Sequence, residues 1–96
     1  MMKAKIEKVV RDLKADCETE FEDSNYEDVV EDVYPYLQII VKDANLNDNK
    51  KQNKVYKELK GFCDSAYFHL AECMWDMFDD SFVTKTVNNI EKVLVD

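Results

Sequence analysis

One glycine and one proline in 96 residues leave this chain almost no material for tight turns. Sheet-rich folds need both residues repeatedly, because hairpins and turns draw on left-handed backbone and on the fixed φ of proline. Average usage is about 7% glycine and 5% proline, so the chain is built for long, uninterrupted elements. The apolar spacing says which kind. Met2, Ile6, Val9, Val10, Leu13, Cys17 and Phe21 recur every three or four residues and predict a helix over residues 2–22.

Ser24, Asn25, Tyr26 and Glu27 then read as a capping box, with Ser24 as N-cap and Glu27 reaching back. A second stripe runs through Tyr26, Val29, Val30, Val33, Leu37, Ile40 and Ala44. Pro35 lies inside it and removes one backbone hydrogen bond. Because the stripe stays in phase, the expectation is one helix kinked at Pro35. Residues 45–53 are polar, contain four asparagines and predict the longest loop, with Asn47 or Asp48 as the next N-cap. A third stripe follows: Val55, Leu59, Phe62, Cys63, Ala66, Leu70, Cys73, Met74, Met77 and Phe78. Gly61 interrupts it at a cost of about 1 kcal/mol relative to alanine, yet the phase is unbroken, so the helix is expected to continue. Ser81 is the predicted cap of a last helix with Val83, Val87, Ile90 and Leu94 on its inner face.

The expected fold is all-α: a small bundle of four helices with short loops, five if a break falls within the second or third stripe. Residues 1–96 make a single domain. Its core should hold Ile6, Val9, Leu13, Val30, Val33, Leu37, Ile40, Leu59, Leu70, Met74, Met77, Val87 and Ile90. With 46% hydrophobic residues, the material for that core is present despite 35% charged residues.

Acids outnumber bases 21 to 13, for a net charge of −8 and a pI near 4.6. A field of that sign disfavours bare nucleic acid and anionic membranes as partners and favours a basic protein surface. No apolar run is long enough to span a membrane or to serve as a secretory signal. Three cysteines, Cys17, Cys63 and Cys73, suit a reducing cytoplasm, where a thiol behaves as a small apolar group. A cytoplasmic protein is expected.

Charge is distributed unevenly. Residues 1–15 carry five bases and two acids, whereas residues 16–32 carry nine acids and no base. Residues 33–63 hold six bases against three acids, and residues 64–80 hold five acids and no base. Helix macrodipoles favour acids in the first turn and bases in the last. The first helix does the opposite, and the third repeats the inversion from Lys50, Lys51, Lys54 and Lys57 to Asp76, Asp79 and Asp80. Only the second helix obeys. In an up-down bundle, one pole gathers Asp16, Glu18, Glu20, Glu22, Asp23, Glu27, Asp28, Glu31, Asp32, Asp76, Asp79 and Asp80. The opposite pole collects Lys3, Lys5, Lys8, Lys42 and the lysines of residues 50–57. Crowded like charges repel, so a neutralising partner is expected at the acidic pole.

Catalytic chemistry has little to stand on. His69, Glu72, Cys73 and Asp76 share a helix face with ligand-type spacing, but the chain has no second histidine. The expectation is that His69 simply occupies the polar face and that no metal or other cofactor is held. Each cysteine lies on an apolar stripe, where a thiol is inert, and a single glycine cannot build a phosphate-cradling loop. The chain is expected not to be an enzyme. A more informative feature is the row of Phe68, Ala71 and Trp75, which widens the apolar arc of the third helix. Either that helix is central, or the row docks a partner or a second copy.

These observations favour a non-catalytic inhibitor whose acidic pole enters a basic, nucleic-acid-binding groove on another protein. In size, acidity and helix content the chain resembles small phage-encoded inhibitors of bacterial defence, such as anti-CRISPR and anti-restriction proteins. That resemblance implies a nucleic-acid mimic acting in the host cytoplasm; it assigns no role to any single residue. The alternative is a structural or assembly protein that forms a helical homo-oligomer through Phe68 and Trp75.

Overall fold

A computed structural model describes residues 2–23, 33–71 and 79–95. Four helices account for nearly all of them: α1 (Met2–Asp23), α2 (Tyr34–Ala44), α3 (Asn49–Ala71) and α4 (Asp80–Val95). No strand occurs among the described residues. The long in-phase stripes therefore fold as helices. The third stripe runs through Gly61 without a break, so α3 is continuous there.

Pro35 departs from expectation. It lies in the first turn of α2, and Val33, outside the helix at φ −92° and ψ 4°, is the N-cap. Within α2 proline's missing N–H costs nothing, because the first-turn amides have no intrahelical acceptor. The capping box at Ser24 and the apolar residues from Tyr26 to Val30 lie outside the described residues. So does the only stretch from which the second stripe could supply a fifth helix.

The predicted nine-residue loop shrinks to four residues, 45–48. Asn45 adopts left-handed backbone at φ 51° and ψ 46° and closes α2, a conformation asparagine tolerates better than most residues. The Asn45 and Leu46 amides donate to the carbonyls of Lys42 at 3.4 Å and Val41 at 3.0 Å. This Schellman arrangement turns Leu46 back into the core. Asp48 then accepts from the backbone amides of Lys50 at 2.8 Å and Lys51 at 3.4 Å, capping α3. Gln52 also reaches back to the Leu46 carbonyl at 2.7 Å. Sequence spacing placed Lys50 to Asn53 in the loop because they carry no apolar residue; the cap makes them the polar first turn.

At α4 the cap shifts two residues from its expected position. Asp79, rather than Ser81, is the acceptor: the Ser81 amide donates to its carboxylate at 3.0 Å, and Phe82 N–H donates to its carbonyl at 3.2 Å. Asp79 and Asp80 thus open α4 and do not close α3. There they favour the helix dipole, which corrects half of the inversion expected for the third helix. α4 obeys the dipole rule at both ends, with Asp80 in its first turn and Lys92 in its last. α2 obeys it only at its C-terminal end, through Lys42.

All four helices contribute to one core. Ile6, Val9, Leu13, Val33, Leu37, Ile40, Leu59, Val87 and Ile90 are buried as expected, together with Val10, Cys17, Val55, Phe62, Cys63, Ala66 and Val83 from the same stripes. Leu46 is the unforeseen member. Val30, Leu70, Met74 and Met77 belong to residues whose side chains lie outside the description. Glu58 meets Asn89, and His69 meets Phe82, so α3 and α4 run antiparallel. The start of α1 lies beside the end of α2, where Lys5 pairs with Asp43 at 3.3 Å.

Candidate partner-binding surfaces

Four of the twelve carboxylates assigned to the acidic pole have described side chains: Asp16, Glu18, Asp79 and Asp80. The other eight, Glu20, Glu22, Asp23, Glu27, Asp28, Glu31, Asp32 and Asp76, lie outside the described side chains. Among the four, Glu18 and Asp80 are drawn onto basic residues of α1. Arg11 Nη1 lies 3.2 Å from Asp80 Oδ1, and Lys14 Nζ lies 3.4 Å from Glu18 Oε1. The Ser81 hydroxyl and amide, both donating to Asp79, hold its carboxyl below the usual aspartate value of 3.8, and Lys14 adds a smaller push. Glu18 and Asp79 therefore share the neighbourhood of one lysine. The described part of the pole is a mixed cluster that Arg11 and Lys14 partly neutralise. Asp16 is exposed on α1.

The opposite end keeps its basic character. Lys5 and Lys42 line one shallow depression with Ile39 and Asp43. Lys3, Lys8, Lys50, Lys54 and Lys57 are all exposed. Asp43 is the one acid within this patch whose carboxylate is partly withdrawn from water: Oδ1 takes the Lys5 ion pair while Oδ2 is buried.

On the aromatic flank, Phe68 is 54% exposed and Tyr67, next to it, 37% exposed. α3 is thus not enclosed on that side. Ala71 ends the helix, its side chain undescribed, and Trp75 lies outside the described residues, so the expected Phe68–Trp75 row is represented by Phe68 alone.

His69 does not occupy a polar face. Its ring is half-buried, packed edge-on against Phe82 at 4.9 Å between centroids and against Phe68 at 5.4 Å. Nδ1 lies 2.7 Å from the Ser65 carbonyl. A carbonyl only accepts, so Nδ1 is the donor in this contact. Glu72, Cys73 and Asp76 lie outside the described residues. Among the described residues no group of three or more His, Cys, Asp or Glu side chains converges as a metal site would. Cys17 and Cys63, unconnected by any sequence signal, meet in the core with sulfurs 3.9 Å apart.

Sequence reading missed a cleft between α3 and α4, of about 280 Å³, lined by Lys57, Gly61, Phe62, Phe82, Lys85 and Thr86 among others. The only signal for it was Gly61, read as a cost to the helix. No described helix is long and apolar enough to cross a membrane. No protein-family model matches the chain, and neither a curated protein sequence nor a solved structure matches it.

Proposed function

We propose that this protein is a non-catalytic inhibitor that binds a basic protein through its carboxylate-rich pole, competing for a groove that otherwise holds nucleic acid. The observation that carries this reading is the run of nine acids without a base over residues 16–32. It begins in the last turns of α1, a helix with no acid in its first turn and no base in its last. That placement opposes the helix dipole and costs local stability. A demand from outside the helix accounts for it. Arg11 pairs with Asp80 and Lys14 with Glu18, and this reading assigns the run of residues 16–32 to a partner. The resemblance to phage anti-defence proteins and nucleic-acid mimics belongs to this reading, as do a kinked entry into α2 and a cytoplasmic setting.

Single exposed charges are worth little, so the test replaces five together: Glu20, Glu22, Glu27, Glu31 and Asp32 to Gln or Asn. Proteins captured from bacterial lysate by the wild-type chain at low salt should be lost with the variant, whose helical content should be unchanged. Raising salt from 50 to 500 mM should mimic the variant, as the screening length falls from about 14 to 4 Å. Equal capture by variant and wild type at low salt defeats the proposal.

The exposure of Phe68 and Tyr67 favours one alternative, a homo-oligomer joined through the flank of Phe68, Ala71 and Trp75. Sedimentation over a range of protein concentration separates the two: a mass that stays monomeric removes the alternative.

A further inference from the structure

We infer that the cleft between α3 and α4 is a second docking site, and that its occupant is an acidic amphipathic helix of a partner protein seated over Gly61. Gly61 is the sole glycine of the chain, yet it stands in the interior of a 23-residue helix. Its backbone does not require glycine, since no glycine has positive φ. Packing does not require it either: a Cβ built there meets no atom within 4 Å among the described residues. Glycine is therefore unfavourable at this point with no internal reason. What its missing Cβ does provide is close approach to the α3 backbone from outside.

The space over Gly61 is the cleft itself. It runs from Lys57 to Ser65 on α3 and from Phe82 to Asn89 on α4, about 12 Å of helix, enough for two turns of a third helix laid in the groove. Phe62 and Phe82 offer an apolar floor for the apolar side of such a helix. Charge settles its sign. Lys57 and Lys85 line the cleft, and neither is ion-paired among the described residues. The one acid there among the described residues, Glu58, accepts a hydrogen bond from the neutral Asn89 amide at 3.0 Å, which offsets no charge. Lys92 extends the row one heptad beyond Lys85 in the adjoining depression. Two lysines against one glutamate, with Lys92 beyond, make the groove net basic on a chain of net charge −8, complementary to carboxylates. The site is separate from the acidic pole and stands or falls independently of it.

The sole glycine gives an isolated amide signal in a ¹⁵N–¹H correlation spectrum. The probe is an 18-residue synthetic helix with Leu and Ala on one face and Glu on the other; its control carries Lys for every Glu. The Glu peptide should shift Gly61 saturably and the Lys peptide should not. Gly61→Leu should weaken binding at least tenfold, and Lys57→Gln with Lys85→Gln several-fold, with helicity retained by circular dichroism. Should Gly61→Leu perturb the fold, Gly61→Ala, which favours the helix, should still weaken binding measurably. An unmoved Gly61 signal at millimolar peptide, or equal binding of the Lys peptide, overturns the inference. So does a Gly61 shift that follows protein concentration alone, because the occupant would then be a second copy of this chain.

Discussion

α4 meets its two main neighbours along flanks of opposite electrostatic character. Towards α1, the acids that open α4 find bases: Asp80 takes Arg11, and Asp79 lies near the lysine that also pairs with Glu18. Towards α3, Lys57 and Lys85 line an open cleft with a single acid among the described residues, Glu58, hydrogen-bonded to the Asn89 amide. One flank closes its charges within the molecule. The other leaves them facing solvent beside a glycine that the helix does not need. Both rest on the same apolar core, so the difference is not one of stability; it separates charge used within the chain from charge available to something else.

The core sets the scale for breaking that comparison. Leu59 is fully buried two residues from Gly61 on the same helix, and Leu59→Ala should cost about 2–5 kcal/mol in urea denaturation. A loss under 1 kcal/mol would mean the core lies elsewhere. Gly61→Ala should act in the opposite direction and stabilise by about 1 kcal/mol, because the added methyl meets nothing and the helix gains propensity. Destabilisation would show that the cleft is tighter than its geometry implies. Arg11→Met should change stability by less than about 0.5 kcal/mol, since both partners of the Asp80 pair are largely exposed. A loss above 1 kcal/mol would make the α1 flank structural rather than incidental.

The smallest effect concerns pH. The Asp79 carboxyl is held below its usual 3.8 by Ser81, so its contribution is present above the unfolded value and fades as pH falls through the lower, folded one. Thermal melts below about pH 4 should lose stability more steeply for wild type than for Asp79→Asn, which keeps a capping oxygen without the titration. Identical slopes would remove Asp79 from the acid response.

Much of this arrangement was legible from residue order. Apolar recurrence at helical spacing placed α1 within a residue of its observed end and carried α3 through Gly61, because periodicity is local and survives one poor helix former. The cap of α3 was narrowed to Asn47 or Asp48 for the same reason, and Asp48 is the one whose carboxylate serves amides two and three residues away. Where two local signals competed, the weaker inference failed. Ser81 before an apolar run looked like a cap, but Asp79 is the better acceptor.

What the sequence by itself determined is helicity, the buried faces and the uneven charge, since each depends on residues within a turn or two of one another. Only the tertiary structure decided which charges meet. Arg11 and Asp80 are 69 residues apart and Cys17 and Cys63 are 46 apart, and no spacing rule connects such pairs. Leu46 entered the core through the left-handed turn at Asn45, and His69 turned inward onto Phe82. The cleft over Gly61 exists because α4 folds back antiparallel along α3. Contacts of this kind are set by how whole helices pack, and helix packing is settled by the shapes of faces brought together from distant parts of the chain.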